Sequence, residues 1–456
     1  MSVVMKFGGT SVADADAIGR VVSIVRRHMP SDGEEPPVVV VSALSGVTDR
    51  LIAAARSAEE GDGATAVASL NDLLDRHLTV AMRLTSGGAR TELLTQIRRE
   101  FEGLVGLVQA LSVLREVSPR SLDALVAVGE LASSRIVAAA LVEQRIRGAW
   151  VDARTVMRTD TEHTAAVPDM IETCERARDR VSPLLAQGQV VVLGGFIGAT
   201  ANNITTTLGR GGSDYSAAIF GACLDADEIQ IWTDVDGMLT ADPRIVPQPR
   251  VVPQLSFAEA SELAYFGAKV LHPSTILPAV SKNIPVRILN SHRPDNPGTM
   301  ITREAGPANG QLSAIACKRD VTVIDITSTR MLMAHGFLRR LFEVFERFKT
   351  AVDVVTTSEV SVSVTVDDTR RLEAISDNLR NFADVACERE MAIICAVGEN
   401  LRMDATLFGR AVTALERVPL RLVSQAASRR NITFVLRDAD VPHAMTRLHE
   451  QFFERV

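Results

Sequence analysis

Residues 205–216 are the part of the sequence best suited to chemistry, because a run of threonines gives way to glycines around a single arginine, Arg210. Threonines favour a strand, and Ser213 or Asp214 can then cap a helix that continues through Ile219. Glycines leave backbone N–H groups open to a ligand, a helix N-terminus favours negative charge, and arginine adds a planar fork of donors. The segment predicts a site for an anionic ligand, although a plain strand-to-helix turn uses the same residues.

A second segment of this kind begins the chain. A short apolar strand runs into Lys6, Gly8 and Gly9, and a helix follows. A lysine beside glycines at the end of a strand favours a phosphate contact over a solvated surface position. The spacing matches neither GxxxxGK[ST] nor GxGxxG, so it predicts neither a P-loop nor a dinucleotide-binding fold.

Three more buried apolar runs lead into glycines or small polar residues, as strands of an open α/β sheet do at the edge where ligands bind. These strand ends are residues 42–48, 194–198 and 233–236. Turn chemistry also selects serine, glycine and aspartate, so the local pattern leaves both interpretations open. Asp234 and Asp236 could bind hydrated Mg²⁺ or a ribose hydroxyl, but the pair Asp236-Gly237 favours a turn.

One carboxylate stands out in the helical part of the sequence. Residues 50–147 have a helical pattern with polar breaks near 86–88 and 118–119, and Glu130 lies there among small apolar residues. A buried carboxylate is costly without a cationic partner. Glu130 is therefore either exposed or faces a positive group, for which a substrate ammonium is one candidate.

The composition limits the possible functions. The 456 residues are 46% hydrophobic and 23% charged, and the net charge of −7 comes without a basic run, so nucleic acid and anionic lipid are not expected partners. No signal sequence and no membrane span are predicted, which favours a cytoplasmic location. The five cysteines are odd in number and widely spaced, which predicts reduced, buried thiols. The histidines show no zinc-site spacing, so no protein-held metal is predicted.

The pattern changes after residues 291–313, which are rich in proline, glycine and asparagine. Residues 321–381 give the order strand, helix, strand, strand, helix, and residues 391–448 repeat it. Such an order predicts two small βαββαβ-like modules with helices on one face of an antiparallel sheet.

Four segments taken together resemble the aspartate kinase family: KFGGTSV at residues 6–12, TTLGRGGS at 206–213, WTDV at 232–235 and FGAKVLHP at 266–273. The resemblance covers essentially the whole chain, since the C-terminal part resembles the tandem ACT modules of monofunctional members. It implies an α/β fold in which an amino-acid-kinase-like three-layer αβα sandwich precedes two ferredoxin-like ACT modules. The implied domains are a catalytic domain at 1–292, a linker at 293–313, and ACT modules at 314–385 and 386–456.

The resemblance implies transfer of a phosphoryl group from ATP to the side-chain carboxylate of L-aspartate, with Mg²⁺ held mainly through the phosphates. The implied catalytic residues are Lys6, Arg210 and Asp214. The implied nucleotide contacts are Lys6, Phe7, Gly8, Gly9, Thr233, Asp234, Arg244, Lys269 and Val270. The implied aspartate contacts are Ser42, Thr48, Glu130, Arg210, Gly211, Gly212 and Ser213. The sequence departs from the family at Leu239, where a tyrosine is common.

The resemblance also implies a regulatory amino acid at an ACT–ACT contact, together with a homodimer or homotetramer. The matching positions are Met331, Ala334, Phe337, Leu338, Val352, Asp353, Ser358 and Glu359. Lysine is favoured over threonine because Asp353 and Glu359 could face its ammonium groups, but Ala334 stands where the lysine-sensitive pattern can carry serine. Two other functions remain open, which are a kinase with a glutamate-type acceptor and a non-catalytic amino-acid sensor. Retention of both Lys6 and Arg210 argues against the sensor.

Overall fold

The structure is a computed structural model that describes residues 2–30, 35–267, 273–304, 312–328, 335–425 and 428–454. Contacts within this part of the chain divide it into two compact units. The first unit contains the described residues up to 238 together with 273–304, and the second contains 239–267 and the described residues from 312 onward.

The strands and helices are numbered along the chain. The strands are β1 (Val3–Phe7), β2 (Val38–Val41), β3 (Gly148–Trp150), β4 (Val190–Gly194), β5 (Ile197–Ala199), β6 (Thr205–Thr207), β7 (Glu228–Thr233), β8 (Gln254–Ser256), β9 (Val286–Asn290), β10 (Thr299–Thr302), β11 (Leu312–Thr327), β12 (Val355–Thr357), β13 (Ser361–Val366), β14 (Asp384–Gly398), β15 (Leu422–Ser424) and β16 (Asn431–Arg437). The helices are α1 (Ala15–Arg27), α2 (Val47–Glu59), α3 (Gly63–Leu84), α4 (Gly87–Leu114), α5 (Pro119–Glu143), α6 (Met170–Arg180), α7 (Ser182–Ala186), α8 (Gly212–Cys223), α9 (Phe257–Tyr265), α10 (Leu277–Lys282), α11 (Phe337–Arg347), α12 (Leu372–Arg380), α13 (Ala405–Ala414) and α14 (Val441–His449).

The first unit is built on a mainly parallel sheet with the strand order β3-β4-β2-β1-β7-β9-β10. The neighbours from β3 to β9 are parallel, and β10 is antiparallel to β9. Phe7 pairs with Val41 and with Trp232, so β1, β2 and β7 end at the same edge of the sheet. The predicted α/β class and the predicted buried parallel strands are confirmed.

The alternation of side chains along β1 explains where its lysine points. Met5 and Phe7 pack into the hydrophobic core that also contains residues of α1, α2 and α5. Because successive strand residues face opposite sides of a sheet, Lys6 faces the other side, on which α8 begins. The sequence thereby places one cation beside the N-terminus of α8.

Helices α2 to α5 confirm the predicted helical region, and its breaks follow Leu84 and Leu114. One further break, at Glu60 to Asp62 between α2 and α3, was not predicted. Helix α5 is long and apolar enough to cross a membrane by length and composition, but 83% of its most apolar window is buried inside the protein. A core helix that is covered on most sides has the same composition.

The second unit contains an antiparallel sheet with the strand order β12-β13-β11-β14-β16-β15. The long strands β11 and β14 pair with each other, and the register shifts between Lys318 and Val323. On one side of this irregularity residues 312–318 pair with 393–398, and on the other side residues 323–327 pair with 384–388. Both halves of the sheet therefore use both long strands.

Each half of this sheet has its own core. Side chains of α11 and α12 pack with β13 in one hydrophobic cluster, and side chains of α13 and α14 pack with β16 in another. The repeated order of strand, helix, strand, strand and helix is confirmed. The domain boundaries given above stay a prediction.

The prediction that all five cysteines are reduced and buried is wrong. Cys174 in α6 and Cys223 in α8 form a disulfide, although 49 residues separate them in the sequence. The packing of α6 against α8 brings the two sulfur atoms together, and sequence spacing carries no signal of that packing. The other cysteines are free, but Cys387 is exposed.

Candidate functional site

A cavity of about 810 Å³ lies in the first unit, where β1, β2 and β7 end and α8 begins. Its walls bring together most of the predicted site residues of this unit. These lining residues are Lys6, Gly8, Gly9, Ser42, Thr48, Glu130, Arg210, Gly211, Gly212, Ser213, Asp214, Thr233 and Asp234. Five segments that are distant in the sequence thus share one concave surface, as is usual for a ligand site at the carboxyl edge of a parallel sheet.

Lys6 and Asp214 form an ion pair at the base of this cavity, with 2.6 Å between Nζ and Oδ1. Both side chains are mostly buried. An ammonium group has three N–H donors, so the lysine can hold Asp214 and still bind ligand oxygens. The pair fixes a positive group next to the N-terminus of α8.

The loop around Arg210 relies on glycine. Gly209 and Gly211 have φ of 74° and 72°, a region that side chains other than glycine rarely adopt. Helix α8 starts at Gly212 with Gly211 as its N-cap, so the prediction that Ser213 or Asp214 caps it is wrong. Asp214 turns to Lys6 instead. Arg210 is exposed and makes no ion pair or hydrogen bond with any described residue, so its guanidinium can take a ligand.

Glu130 is buried on the cavity wall without a cation. Its side chain is on α5, and Oε1 accepts a hydrogen bond from the backbone N–H of Ala43 at 3.3 Å. Oε2 is buried and has no partner in the described part of the chain. Burial raises the pKa of Glu130 to about 8. An unpartnered carboxyl group of this kind is suited to receive a cationic group of a ligand.

Replacing Glu130 by glutamine is expected to stabilise the empty protein at alkaline pH. The folded-state pKa of about 8 lies above the ordinary value of 4.5. The stability associated with this carboxyl group is therefore fully present below pH 4.5 and is lost as the pH rises through 8. Glutamine carries no charge and does not lose this stability. The melting temperature of Glu130→Gln relative to that of the wild type is therefore expected to increase by about 2–4 °C when the pH is raised from 6 to 8.5. Thermal unfolding at both pH values measures this gain, and an equal difference at both would contradict it.

The other predicted nucleotide residues lie elsewhere. Phe7 is buried in the core and stacks on Trp232 with 5.9 Å between ring centroids, so its side chain does not line the cavity. Arg244 belongs to the second unit, where Nε and Nη2 donate to the two carboxylate oxygens of Asp242 at 3.0 and 2.6 Å. Lys269 and Val270 lie outside the described residues.

The cavity also contains Asp123 and Thr164, which the sequence did not single out, and it contains Phe196 and Thr207 from the predicted segments 194–198 and 205–216. Asp123 precedes Glu130 by seven residues on α5, and this spacing of two turns puts both carboxylates on one face of the helix. That spacing was the available signal for Asp123.

The predicted regulatory residues belong to the second unit, apart from Met331 and Ala334, which lie outside the described residues. Phe337 and Val352 pack against the core beneath α11, and Leu338, Ser358 and Glu359 are exposed. The Asp353 carboxylate is buried, and its Oδ1 accepts hydrogen bonds from Lys318 Nζ and the Tyr265 hydroxyl, each at 2.7 Å. Asp353 therefore already faces an ammonium group of the protein itself.

The comparisons with known proteins agree with this architecture. Residues 1–290 match the model of the amino acid kinase family, and residues 394–452 match that of the ACT domain. Lysine-sensitive aspartokinase 3 of Escherichia coli K12 is 36% identical to this chain, and the match covers 99% of each of the two chains. Aspartokinase 3, chloroplastic, of Arabidopsis thaliana is 37% identical over 100% of this chain and 82% of its own length.

Solved structures give the same result. The structure of E. coli aspartokinase III in complex with aspartate and ADP superposes with a TM-score of 0.84 at 35% identity, covering 99% of this chain and 100% of that one. Aspartate kinase of Clostridium acetobutylicum superposes with a TM-score of 0.81 at 25% identity over 99% and 100% of the two chains. From its sequence motifs, its fold and these full-length matches, the chain belongs to the aspartokinase family.

Proposed function

We propose that this protein transfers the γ-phosphoryl group of ATP to the side-chain carboxylate of L-aspartate, giving 4-phospho-L-aspartate and ADP. This is the first step in the synthesis of the aspartate family of amino acids. The observation that carries the proposal is a single cavity with a paired lysine, Lys6, a free guanidinium, Arg210, and an unpartnered buried carboxyl group, Glu130. The related E. coli enzyme was solved with aspartate and ADP.

Arg210 and Glu130 are suited to the two charged groups on the α-carbon of an amino acid. The guanidinium of Arg210 can bind the α-carboxylate through two parallel hydrogen bonds, and Glu130 can accept the α-ammonium. Ser42, Thr48 and Ser213 offer hydroxyl groups along the same wall, and Gly211 has no side chain to cover its amide. The amide of Gly212 already donates to the carbonyl oxygen of Gly209 at 3.0 Å. The side-chain carboxylate of the substrate then remains free to react.

The nucleotide phosphates are assigned to the Lys6 end of the cavity. Of the two glycine amides there, that of Gly8 already donates to the carbonyl oxygen of Trp232 at 3.0 Å, which leaves the amide of Gly9 for a phosphate oxygen. Thr233 and Asp234 line the same end. Phe7, Arg244, Lys269 and Val270 complete the proposed nucleotide contacts on the strength of the sequence resemblance alone.

The chemical difficulty is electrostatic. The acceptor carboxylate has an ordinary pKa near 4, so it is already ionised at neutral pH and needs no catalytic base. It must approach a phosphate of like charge, which requires fixed positive groups and accurate placement. Lys6 supplies such a group, and Asp214 holds it in place.

We propose Mg²⁺ as the accompanying ion, held mainly through the phosphate oxygens. No group of three or more His, Cys, Asp or Glu side chains suited to a metal occurs among the described residues. Asp236, one of the candidates from the sequence, is engaged by Asn290 at 2.7 Å and by Arg293 at 2.7 Å. A metal ion that is bound mainly by the nucleotide phosphates needs few ligands from the protein, which agrees with these side chains. It would neutralise charge that develops on the phosphoryl oxygens.

An assay of ADP release with aspartate, glutamate and carbamate as alternative acceptors tests the proposed function. We expect release that depends on aspartate. Release with glutamate in its place would transfer the proposal to another amino-acid kinase reaction. The absence of ADP release with all three acceptors would leave the non-catalytic sensor as the better interpretation.

We further propose that lysine or threonine regulates this activity through the ACT modules, in a cytoplasmic homodimer or homotetramer with the domain boundaries given above. One E. coli aspartokinase III structure that superposes with a TM-score of 0.81 contains lysine and aspartate in the T-state. We expect added lysine to lower the activity and to raise the melting temperature, because a ligand that binds the folded state stabilises it. Threonine, the alternative effector, is tested in the same two measurements, and light scattering gives the oligomeric state. Lysine that changed neither quantity would contradict its assignment as the effector.

A further inference from the structure

A second carboxylate on the cavity wall, Asp123, has no role in the reaction described above. Its side chain is 0% exposed. Oδ1 accepts the Thr207 hydroxyl at 2.6 Å, both carboxylate oxygens accept the Thr164 N–H at 3.1 Å, and Oδ2 lies 2.7 Å from His163 Nδ1. We name Asp123, His163, Thr164 and Thr207 the Asp123 cluster.

The Asp123 cluster joins three segments of the first unit. Asp123 is on α5, Thr207 is the last residue of β6, and His163 and Thr164 belong to the connection between residues 160 and 167. The connection is also bound to β6 by the Ala166 N–H, which donates to the carbonyl oxygen of Thr207 at 2.9 Å. The carboxylate of Asp123 therefore lies where α5, this connection and β6 meet.

Arg210 follows Thr207 by three residues. Its loop has a glycine with positive φ on either side, Gly209 and Gly211, and such residues have the most backbone freedom. Gly209 lies against the connection, since a Cβ on it would be 3.1 Å from the carbonyl oxygen of Thr164. The position of Arg210 therefore depends on what holds Thr207 and Thr164, and Asp123 holds both.

We propose that Asp123 is a positioning residue for the amino-acid substrate. It fixes Thr207 and Thr164, and through them the loop from which Arg210 grips the substrate α-carboxylate. This inference rests on the proposed function. Hydrogen bonds to a charged acceptor are strong and directional, so the carboxylate specifies the position of both backbones more closely than an apolar side chain would.

Substitutions of two neighbouring threonines of β6 distinguish an effect on substrate positioning from a general effect on stability. Thr206 and Thr207 are both buried, but only Thr207 binds Asp123 and lines the cavity, whereas the Thr206 hydroxyl lies 2.7 Å from that of Thr159. Thr207→Val is expected to raise the KM for aspartate about tenfold, with kcat and the KM for ATP within about twofold of the wild type. Thr206→Val is the matched control and is expected to change none of the three.

A second pair of variants changes His163, whose Nδ1 lies 2.7 Å from Asp123 Oδ2. His163→Asn keeps an N–H group near the position of Nδ1 and is expected to retain most of the affinity for aspartate. His163→Leu removes the donor and is expected to raise the KM for aspartate about tenfold, as Thr207→Val does. Asp123→Asn removes acceptor capacity from the centre of the cluster, and its melting temperature reports whether it still folds.

Equal KM values for aspartate in Thr207→Val and Thr206→Val would overturn the inference, as would a parallel rise in the KM for ATP. A wild-type protein that released no ADP would contradict the proposed function itself. In that case calorimetric titration of aspartate into the same variants still tests whether Asp123 positions the aspartate site. Weaker binding in Thr207→Val than in Thr206→Val supports the role of Asp123, and equal binding overturns it.

Discussion

Lys6→Ala is expected to lower kcat by about 10²–10³ while the KM for ATP rises much less, because a fixed charge acts most strongly on the charge that develops in the transition state. The ion pair holds Lys6 at the end of β1, with 2.6 Å between Nζ and Asp214 Oδ1, so the lysine needs little rearrangement when substrates bind. The alanine variant also leaves Asp214 without its partner, which adds negative charge beside two anionic reactants.

Steady-state kinetics with saturating aspartate measure this effect. Lys282→Ala is the matched control, because Lys282 also pairs with an aspartate, Asp225 at 3.0 Å, but on the surface. Its kcat is expected to equal that of the wild type. A kcat of Lys6→Ala near the wild-type value would remove this lysine from the catalytic role. A rise in the KM for ATP as large as the fall in kcat would assign Lys6 to nucleotide binding instead.

Glu130→Ala is expected to raise the KM for aspartate about 30-fold or more and to leave the KM for ATP nearly unchanged. The reason is that removing one partner of a buried charge pair leaves the other, here the substrate ammonium, uncompensated. Glu100→Gln is a suitable control, because burial also raises the pKa of Glu100 but its side chain pairs with Arg135 and does not line the cavity. Equal effects of Glu130→Ala on both KM values would contradict the assignment.

The affinity for aspartate should also depend on pH in a defined direction. Burial raises the pKa of Glu130 to about 8, so below pH 8 the empty site holds a neutral carboxylic acid that must lose its proton when the ammonium binds. The KM for aspartate is therefore expected to fall as the pH rises from 6.5 to about 8. Glu130→Gln keeps Lys6 and Asp214 in the cavity and is expected to abolish this dependence. A wild-type KM that is constant over this range would contradict it.

The sequence predicted the parts of the site that depend on local patterns. Apolar runs that lead into glycines or small polar residues located the ends of β1, β2 and β7, and all three ends line the cavity. The loop around Arg210 was predicted because glycine amides, an arginine and a helix start together suit an anionic ligand, and the accompanying motifs favoured this interpretation over a plain turn. Glu130 was predicted because a carboxylate among small apolar residues is costly unless a cation reaches it.

The parts that the sequence did not predict depend on long-range packing. The ion pair of Lys6 with Asp214, the bonds of Asp123 and the disulfide of Cys174 all join residues that only the folded chain brings together. The first strand of the C-terminal part was predicted to begin at residue 321, but β11 spans Leu312–Thr327, because the irregularity near Lys318 interrupts its alternating pattern. The packing of residues 239–267 with the second unit, at Thr240 against His449 for example, likewise has no local signal.

Both halves of the second sheet share β11 and β14, and this limits how the protein can be divided into fragments. A fragment that begins after β11 keeps α13, α14 and the last two strands, but it exposes the hydrogen-bonding edge of β14 that residues 312–318 cover. An uncovered strand edge of this length promotes aggregation. We therefore expect that a single ACT module cannot be excised from the second unit by one cut without exposing this edge.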